Sequence, residues 1–431
     1  MMKAKTALLL LLTLCLCPFG GRAFAATENV FRKHKNAVLR VRILERSSGA
    51  QASVGSGFFV GRGGLAVTNF HVVAHLVWKP GSYEAVGVLE NDESKRVELL
   101  AVDVVHDLAV LRIEGAPTQS LILSASIPPK GQRLYALGNP HDLGMTIIEG
   151  SYSGLLEDSL VQTVHLTGTL NPGMSGGPVL NGSGQVVGVS VASAGDEVSF
   201  LVPVAFVKTL VENAPASATP EALRAAVSSQ LASHQETIAG RLTGSPFQTQ
   251  SLGPFQVPGK LSPAFRCWAN SDEAEGQPYE VIHSQCDADG TVFINDRLNT
   301  GTIDFAHHML EGGSLNAFRL SALQKRYFHE NSSFAGEAGG FLWAGMGQED
   351  QDLTPYDCSS STVESRELVL KAIICLRAYK KFPGLYDMQW RGTSFVDSRR
   401  AFTSYLTVEG TSRENAEKFL RRYLEAFTWK K

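Results

Sequence analysis

Residues 30–205 show the alternation of hydrophobic and polar positions that is typical of short β-strands broken by glycine-containing turns. A period of two puts alternate side chains on opposite faces of a strand, and almost no window here has the 3.6-residue period of a helix. The pattern predicts an all-β sandwich or barrel, and a break at 115–130 divides it into two halves, about 30–120 and 125–205. The segments are AVLRVRILE (37–45), SGFFV (56–60), LAVTN (65–69), EAVGVLE (84–90), RVELLAVDVV (96–105), LAVLRI (108–113), RLYALG (133–138) and QVVGVSVAS (185–193).

Helical composition begins after this β-rich part. AFVKTLVENA (205–214) predicts a short closing helix, and the small-residue stretch 214–220 predicts a linker. The segment 221–242 spaces its Ala and Leu residues as an amphipathic helix does. A loop rich in Gly and Pro follows at 244–260. We therefore assign 213–261 to a helix and linker.

Residues 262–431 differ in composition and predict a separate α+β domain of unknown role. Strand-like segments at 279–285 and 291–296 flank the turn Asp289-Gly290, which predicts a hairpin. The segments 364–382 and 412–427 have helical composition. The same turn partly fits a calcium loop, but Gln285 and Asp296 would then occupy the first and last ligand positions, so the hairpin is favoured.

Residues 1–25 have the pattern of a secretory signal peptide. Lys3 and Lys5 precede an apolar run at 7–16 that is too short to cross a bilayer comfortably, and 23–25 fits the A-x-A cleavage signal. We expect cleavage after Ala25 and a periplasmic or secreted chain with no stable membrane span. A retained membrane anchor is the alternative.

Charge gives little information about partners. The formal net charge is −3, and removal of residues 1–25 takes away three cations and no acid, which leaves −6 for residues 26–431. A mildly acidic chain does not predict a nucleic-acid partner. Nothing in the sequence indicates a cofactor or an oligomeric state.

Four cysteines remain after the predicted cleavage, and all lie in the C-terminal half. An even number in an exported chain predicts two disulfides, and four cysteines allow three pairings. We favour the local pairing, Cys267 with Cys286 and Cys358 with Cys375. A zinc site is the alternative, but no C-x-x-C or Cys/His spacing supports it, so no metal site is predicted. The adjacent His307 and His308 are assigned to the surface, and Asn331 begins a glycosylation sequon in a eukaryotic cell.

GMSGG (173–177) contains a candidate nucleophile, Ser175, and matches two patterns. It fits the G-x-S-x-G elbow of α/β-hydrolases and the G-x-S-G-G-P turn of chymotrypsin-like proteases. The elbow needs a helix directly after the serine, whereas Gly176, Gly177 and Pro178 follow here. The elbow also needs its acid and its histidine after the serine. An acyl hydrolase on an α/β fold is therefore disfavoured.

A serine hydroxyl needs a base and an orienting acid to become a nucleophile. His71 lies where a predicted strand ends and a helical turn begins, with His75 one turn further as the rival base. Asp107 is flanked by apolar strand residues, and Asp103 is the weaker candidate. Because no Asp precedes His71, the order His71, Asp107, Ser175 is favoured, which is the order of chymotrypsin-like proteases.

Residues 40–210 resemble the Deg/HtrA branch of trypsin-like serine proteases. The motifs that carry the resemblance are GSGFFV, AVTNFHVV, HDLAVLRI, LGNP, NPGMSGGPVL, GQVVGV and VSFLVPV, in this order. The resemblance implies a protease domain at 26–212 with two perpendicular six-stranded barrels and the triad in the cleft between them. It also implies hydrolysis of peptide bonds through an acyl-enzyme, with unfolded or damaged envelope proteins as substrates.

The resemblance also implies individual roles. His71 is the general base and acid, Asp107 orients it, and Ser175 attacks. The backbone N–H groups of Gly173 and Ser175 form the oxyanion hole. A protease fold that serves as a binding scaffold with incidental catalysis remains the alternative to an enzyme.

The chain departs from the family at several points. Met174 stands where trypsins carry Asp and Deg-type enzymes commonly carry Asn, so it cannot pair with a newly cleaved N-terminal amine. We expect packing, substrate or the C-terminal domain to order the loop instead. No PDZ-like carboxylate-binding loop is recognisable in 215–431.

The specificity pocket is expected near Thr169 and along Ser190-Val191-Ala192. No Asp or Glu lies between Asp158 and Ser175. We therefore expect small or medium apolar residues before the scissile bond.

Overall fold

The computed structural model describes residues 21–116, 118–139, 144–156, 158–193, 198–272, 276–288, 290–330, 351–365, 368–395 and 397–429. Most of the predicted signal peptide, the turn residue Asp289 and the sequon at Asn331 lie outside these ranges. Helix α1 (Gly21–His34) and a short 3₁₀ helix (Lys35–Ala37) precede the first strand. Val30 of α1 is buried in the same cluster as Val38 and Leu180. Within the described residues, no helix combines the length and apolar character needed to cross a membrane.

Six strands form the first barrel, which closes in the order β1-β2-β3-β6-β5-β4 with antiparallel neighbours. The alternation read from the sequence is realised in β1, where Val41 and Ile43 are buried and Arg40 and Arg42 are partly exposed. Helix α2 (Phe70–Trp78) joins β3 to β4 and buries Val72 and Val73 in the barrel core. The strands are β1 (Val38–Glu45), β2 (Gln51–Phe59), β3 (Leu65–Thr68), β4 (Tyr83–Val88), β5 (Ser94–Asp103) and β6 (Leu108–Ile113).

A second set of six strands also closes, in the order β11-β8-β9-β10-β13-β12, because β11 pairs with both β8 and β12. The short strand β7 (Ile122–Leu123) lies parallel to β12 outside the ring. The prediction of two six-stranded barrels is confirmed. The strands are β8 (Arg133–Gly138), β9 (Thr146–Leu155), β10 (Val164–Thr167), β11 (Pro178–Leu180), β12 (Gln185–Ser193) and β13 (Val198–Pro203).

Two helices follow the barrels, as the composition predicts: α3 (Val204–Glu212) and α4 (Pro220–Thr243). The side chain of Thr219 caps α4 by accepting from the Ala222 amide at 3.2 Å, with Pro220 at the first helical position. The buried residues of α4 contact two cores. Its first half packs on the first barrel, and its second half packs against the C-terminal sheet.

The C-terminal part is built on a seven-stranded antiparallel sheet in the order β16-β17-β20-β24-β23-β22-β21. A small three-stranded sheet and a hairpin accompany it, with helices α5 (Ala317–Glu330) and α6 (Arg413–Glu425). The other strands are β14 (Thr249–Leu252), β15 (Phe255–Pro258), β16 (Arg266–Asp272), β17 (Glu280–Ala288), β18 (Val292–Asn295), β19 (Leu298–Thr300), β20 (Ile303–Glu311), β21 (Asp357–Ser365), β22 (Leu368–Ala378), β23 (Tyr386–Phe395), β24 (Arg400–Thr411) and β25 (Thr428–Trp429).

The helix predicted at 364–382 is wrong, because this segment contains the end of β21 and all of β22. Leu368, Leu370 and Ala372 are buried, and Val369 and Lys371 between them are exposed. This period of two is that of a strand, and pairing with β21 and β23 overrides a composition that favours a helix. The helix predicted at 412–427 is confirmed as α6.

The predicted hairpin around 289–290 is also wrong in its pairing. Strand β17 is hydrogen-bonded to β16 on one side and β20 on the other, which leaves no edge for β18. Strand β18 pairs instead with β19. We call β18 and β19 with their connecting residues 296 and 297 the β18–β19 hairpin.

Both predicted disulfides are present, Cys267–Cys286 and Cys358–Cys375. The first joins β16 to β17 and the second joins β21 to β22, in each case between directly paired residues. Since β16 and β21 are the two outer strands of the seven-stranded sheet, each disulfide attaches an edge strand to its inner neighbour.

Removal of the second disulfide by Cys358→Ala/Cys375→Ala should release β21. The free energy of unfolding should fall by about 2–4 kcal/mol, because the cross-link no longer restricts the unfolded chain. Amide hydrogen exchange should accelerate in 357–365, and the matched pair Cys267→Ala/Cys286→Ala should accelerate it in 266–272 instead. Unchanged exchange in 357–365 would show that β21 does not depend on the cross-link.

Candidate active site

His71 is the second residue of helix α2, directly after strand β3. Asn69 precedes the helix in an extended conformation, and its side chain does not cap α2. Its Nδ2 donates instead to the backbone carbonyl of Asp107 at 2.7 Å. The start of the helix is thereby fixed to the turn between β5 and β6, and His71 is held at the barrel rim.

Asp107 binds His71 with both carboxylate oxygens. Oδ1 accepts from the backbone N–H of His71 at 2.8 Å, and Oδ2 lies 2.6 Å from Nδ1 of the ring. Asp107 has a φ of 54°, in the left-handed region, where a non-glycine residue is strained by about 1–3 kcal/mol. These hydrogen bonds and the one from Asn69 offset that strain and hold the carboxylate under the imidazole.

The electrostatics of the pair raise the pKa of His71. Burial lowers the pKa of His71, but the charge and hydrogen bond of Asp107, with a further contribution from the charge of Asp296, raise it above its ordinary value of 6.5 overall. A raised pKa makes the imidazole a stronger proton acceptor, which suits the role of a general base.

The rival base and acid have other partners. Nε2 of His75 lies 3.1 Å from Asp296, and its ring packs against Tyr83. Oδ1 of Asp103 accepts a hydrogen bond from the backbone N–H of His106 at 3.0 Å, and Oδ2 lies 2.8 Å from Nδ1 of the same histidine. The structure therefore brings His71 together with Asp107 and gives Asp103 a different histidine.

The loop around Ser175 requires glycine. Gly173 and Gly176 have φ of 93° and 85°, in the left-handed region. A Cβ on Gly176 would collide with the carbonyl of Ser56 and the hydroxyl of Thr68. The turn can therefore pass this close to the first barrel only because residue 176 has no side chain.

Ser56 of strand β2 anchors this loop, although sequence reasoning did not single it out as a functional residue. It is fully buried. Its N–H donates to the carbonyl of Ser175 at 2.8 Å, and its hydroxyl donates to the carbonyl of Gly173 at 2.8 Å. The same hydroxyl accepts from the N–H of Asn139 at 2.9 Å, so one residue of the first barrel holds two segments of the second. The sequence signal for this role was a single polar residue, Ser56, in the otherwise apolar motif GSGFFV.

The hydroxyl of Ser175 donates to the carbonyl of Val191 at 2.9 Å. Within the part of the chain that the structure describes, no hydrogen bond joins it to His71. The N–H groups of Gly173 and Ser175 also have no protein acceptor among the described residues. Two unpaired donors beside a serine hydroxyl are available to an oxygen atom that binds there.

Met174 is fully buried in an apolar cluster of the second barrel, together with Leu170, Val179 and Leu201. Its Cα approaches Gly138 so closely that a Cβ on that glycine would lie 3.0 Å away. Packing therefore supports the loop where an ion pair is not available. Packing is one of the three means of ordering this loop that the sequence left open, beside substrate and the C-terminal domain.

The predicted pocket residues lie beside the loop to different extents. The carbonyl of Ser190 accepts from Gly176 N–H at 2.9 Å, which puts strand β12 alongside the loop. The Ser190 hydroxyl is buried without a partner among the described residues. Val191 is half-buried and Thr169 is exposed, whereas the side chain of Ala192 lies outside the described part.

The surface assignment of His307 and His308 is wrong, because both are buried in β20. The ring of His307 lies 3.0 Å from the Pro258 carbonyl and 3.0 Å from the Ser404 hydroxyl. Burial lowers the pKa of each to about 3, so both rings are neutral. They point to opposite faces of a sheet that is covered on both sides. In the described ranges, no group of three or more His, Cys, Asp or Glu residues is arranged to hold a metal ion.

Comparisons with known proteins confirm the resemblance to the Deg/HtrA branch of trypsin-like serine proteases. Residues 55–189 match the family described as trypsin-like peptidase domain. Serine protease HTRA4 of Homo sapiens is 33% identical over 189 residues, which cover 42% of this chain and 38% of the relative. Putative serine protease HhoA of Synechocystis is 31% identical over 182 residues, 39% of this chain and 44% of the relative.

A probable periplasmic serine endoprotease, DegP-like, of Halomonas elongata is 33% identical over 143 residues. These cover 32% of this chain and 29% of the relative. The chain thus spans less than half the length of each of these three relatives. The family match at 55–189 includes His71, Asp107 and Ser175.

Substitution of Met174 tests whether packing supports the loop. Met174→Asp should lower the free energy of unfolding by more than about 3 kcal/mol, because it puts an unpaired carboxylate among apolar side chains. The control Met174→Leu conserves volume and should cost less than about 1.5 kcal/mol. Urea denaturation measures both, and equal stability of the two variants would contradict a buried anchor.

Proposed function

We propose that this chain is an exported serine endopeptidase whose catalytic triad is His71, Asp107 and Ser175. The observation that carries the proposal is that the carboxylate of Asp107 makes two hydrogen bonds to His71, one to its backbone N–H and one to its Nδ1. It fixes both the position and the tautomer of the ring, which leaves Nε2 free to accept a proton. The similarity of 55–189 to trypsin-like peptidases supports the same conclusion.

In the proposed reaction, the Ser175 hydroxyl rotates away from the Val191 carbonyl and donates to Nε2 of His71. Its oxygen then attacks the scissile carbonyl carbon while its proton passes to Nε2. The C–N bond breaks, and the leaving amine takes that proton from His71. A water molecule hydrolyses the acyl-enzyme by the same steps, with His71 again as the base. Asp107 stays ionised and stabilises the imidazolium.

The N–H groups of Gly173 and Ser175 are proposed to bind the oxyanion of each tetrahedral intermediate. Their lack of a protein acceptor supports this role. One such donor is worth about 10²–10³ in rate. The Ser56 bond to the Gly173 carbonyl orients the peptide that follows, and thereby contributes to the shape of the hole.

Substrates are proposed to be unfolded or damaged polypeptides of the cell envelope, cleaved after small or medium apolar residues. We place the specificity pocket near Thr169, Ser190 and Val191, and none of these three residues carries a carboxylate that could bind a Lys or Arg side chain. The two disulfides suit an oxidising compartment, in keeping with the proposed signal peptide at 1–25. We further propose the division into a protease domain at 26–212, a helix and linker at 213–261, and an accessory domain at 262–431.

A second candidate function is a binding protein with latent catalysis. The bond of Ser175 to Val191, in place of one to His71, favours it. The two candidates differ in whether Ser175 reacts without a further activating event.

Incubation of residues 26–431 with a fluorophosphonate probe and with casein distinguishes these functions. We expect labelling and cleavage, both lost in Ser175→Ala, with kcat reduced about 10⁶-fold if the triad acts as a unit. Ser183→Ala, a serine on the following turn, is the matched control and should retain both. Absence of labelling in the folded, unsubstituted protein would favour the binding function.

The pH dependence of kcat/KM tests the role of His71. Activity should fall as the pH decreases through an ionisation above 6.5, since the ring must be neutral to accept the serine proton and its pKa is raised. Asp107→Asn removes the charge that raises this pKa, so the acid limb should move to lower pH and the rate should drop. Asp103→Asn, which affects the His106 pair, should leave the profile unchanged. Equal shifts in the two variants would contradict the assignment of Asp107.

A further inference from the structure

The β18–β19 hairpin belongs to the C-terminal part of the chain but packs on helix α2, the helix that carries His71. Val292, Ile294 and Leu298 are buried in the same cluster as the core of the first barrel. The Nε1 of Trp78, at the end of α2, donates to the carbonyl of Ile294 at 2.7 Å. The hairpin therefore contributes to the core of the first barrel, although it follows the whole second barrel and helices α3 and α4 in the sequence.

Phe293 lies between the two buried residues of β18 and is only partly buried. Its ring contacts His71 edge-on, with centroids 6.0 Å apart and an interplanar angle of 73°. It contacts Phe70, the residue before His71, in the same way at 6.3 Å. Edge-to-face pairs at these separations are attractive by about 0.5–1.5 kcal/mol. Phe293 thus packs on the face of α2 where the candidate base emerges.

A polar contact also joins the same hairpin to α2. Asp296 follows β18 and lies 3.1 Å from Nε2 of His75, one helical turn after His71. The charged and titratable groups around the His71 ring come from three elements: Asp107 after β5, His75 on α2 itself, and Asp296 on the hairpin. The charge of Asp296 contributes, after that of Asp107, to the raised pKa of His71.

We propose that Phe293 is a positioning residue for His71, so that the C-terminal part completes the active site by holding the imidazole against Asp107. Aspartate fixes one edge of the ring, and Phe293 restricts its movement from the side of the hairpin. This inference rests on the proposed function of His71 as the base. It gives the C-terminal part a role in positioning the base, through a pair of rings whose centroids are 6.0 Å apart.

Kinetics of residues 26–431 on a fluorogenic peptide test the proposal. Phe293→Ala should lower kcat roughly tenfold with little change in KM, since a misplaced base slows the chemical step more than binding. Phe293→Leu keeps apolar bulk and should recover most of kcat. Phe318→Ala removes an exposed aromatic of the same part, 84% accessible, and should leave both constants unchanged. A kcat of Phe293→Ala within twofold of the unsubstituted protein overturns the proposal.

A readout independent of activity separates this proposal from the proposed function. The Cε1–H signal of His71, assigned with His71→Gln, is followed by NMR in the Ser175→Ala background. Because loss of the Phe293 ring current alone moves this signal, the readout is its titration with pH. We expect the pKa of His71 to fall in Phe293→Ala, where the ring is held less firmly against Asp107, and to stay unchanged in Phe318→Ala. Asp296→Asn should also lower it. If the unsubstituted protein cleaves no substrate and reacts with no probe, the proposed function fails. The NMR measurement still shows whether Phe293 positions the ring of His71. An unchanged pKa of His71 in Phe293→Ala overturns the positioning role of Phe293.

Discussion

The geometry of the candidate site depends on one buried residue, Ser56, which joins the two barrels. Its N–H and hydroxyl bind the carbonyls of Ser175 and Gly173, and its own carbonyl accepts from the Thr68 hydroxyl at 2.7 Å. All of its polar groups are paired, and leaving one unpaired in this setting costs about 1–3 kcal/mol. The loop at 173–177 therefore takes its shape from strand β2 and not from its own sequence alone. Glycines at 173 and 176 allow that shape, and Ser56 selects it.

The same principle operates at Asp107. Its left-handed backbone is unfavourable for a residue with a side chain, yet the conformation lets the two carboxylate oxygens reach both the N–H and the ring of His71. Strain of this kind persists where surrounding hydrogen bonds outweigh it. The site thus combines two turns with left-handed residues, one from each barrel, each held by hydrogen bonds to a neighbouring element.

The C-terminal part is fastened to the barrels through apolar surface. Helix α4 buries residues in the first-barrel core at one end and in the C-terminal core at the other, and the β18–β19 hairpin adds Val292, Ile294 and Leu298 to the first-barrel core. Full burial of one such side chain contributes about 1.5–3 kcal/mol. The seven-stranded sheet does not close into a barrel, so it has two outer strands. Each of these is attached to its inner neighbour by a disulfide.

The sequence by itself determined features that depend on local pattern: several strands of each barrel and helices α3, α4 and α6. It also favoured the local cysteine pairing and set the chain order of the candidate residues His71, Asp107 and Ser175. Each follows from neighbouring residues or from motifs a few residues long. Long-range pairing decided the rest. The segment 364–382 became strand β22 because partners lie on both of its sides, and His307 and His308 are buried because both faces of their sheet are covered. The packing of Phe293 on His71, more than 200 positions away, has no signal in either segment, since only the folded chain brings their two surfaces together.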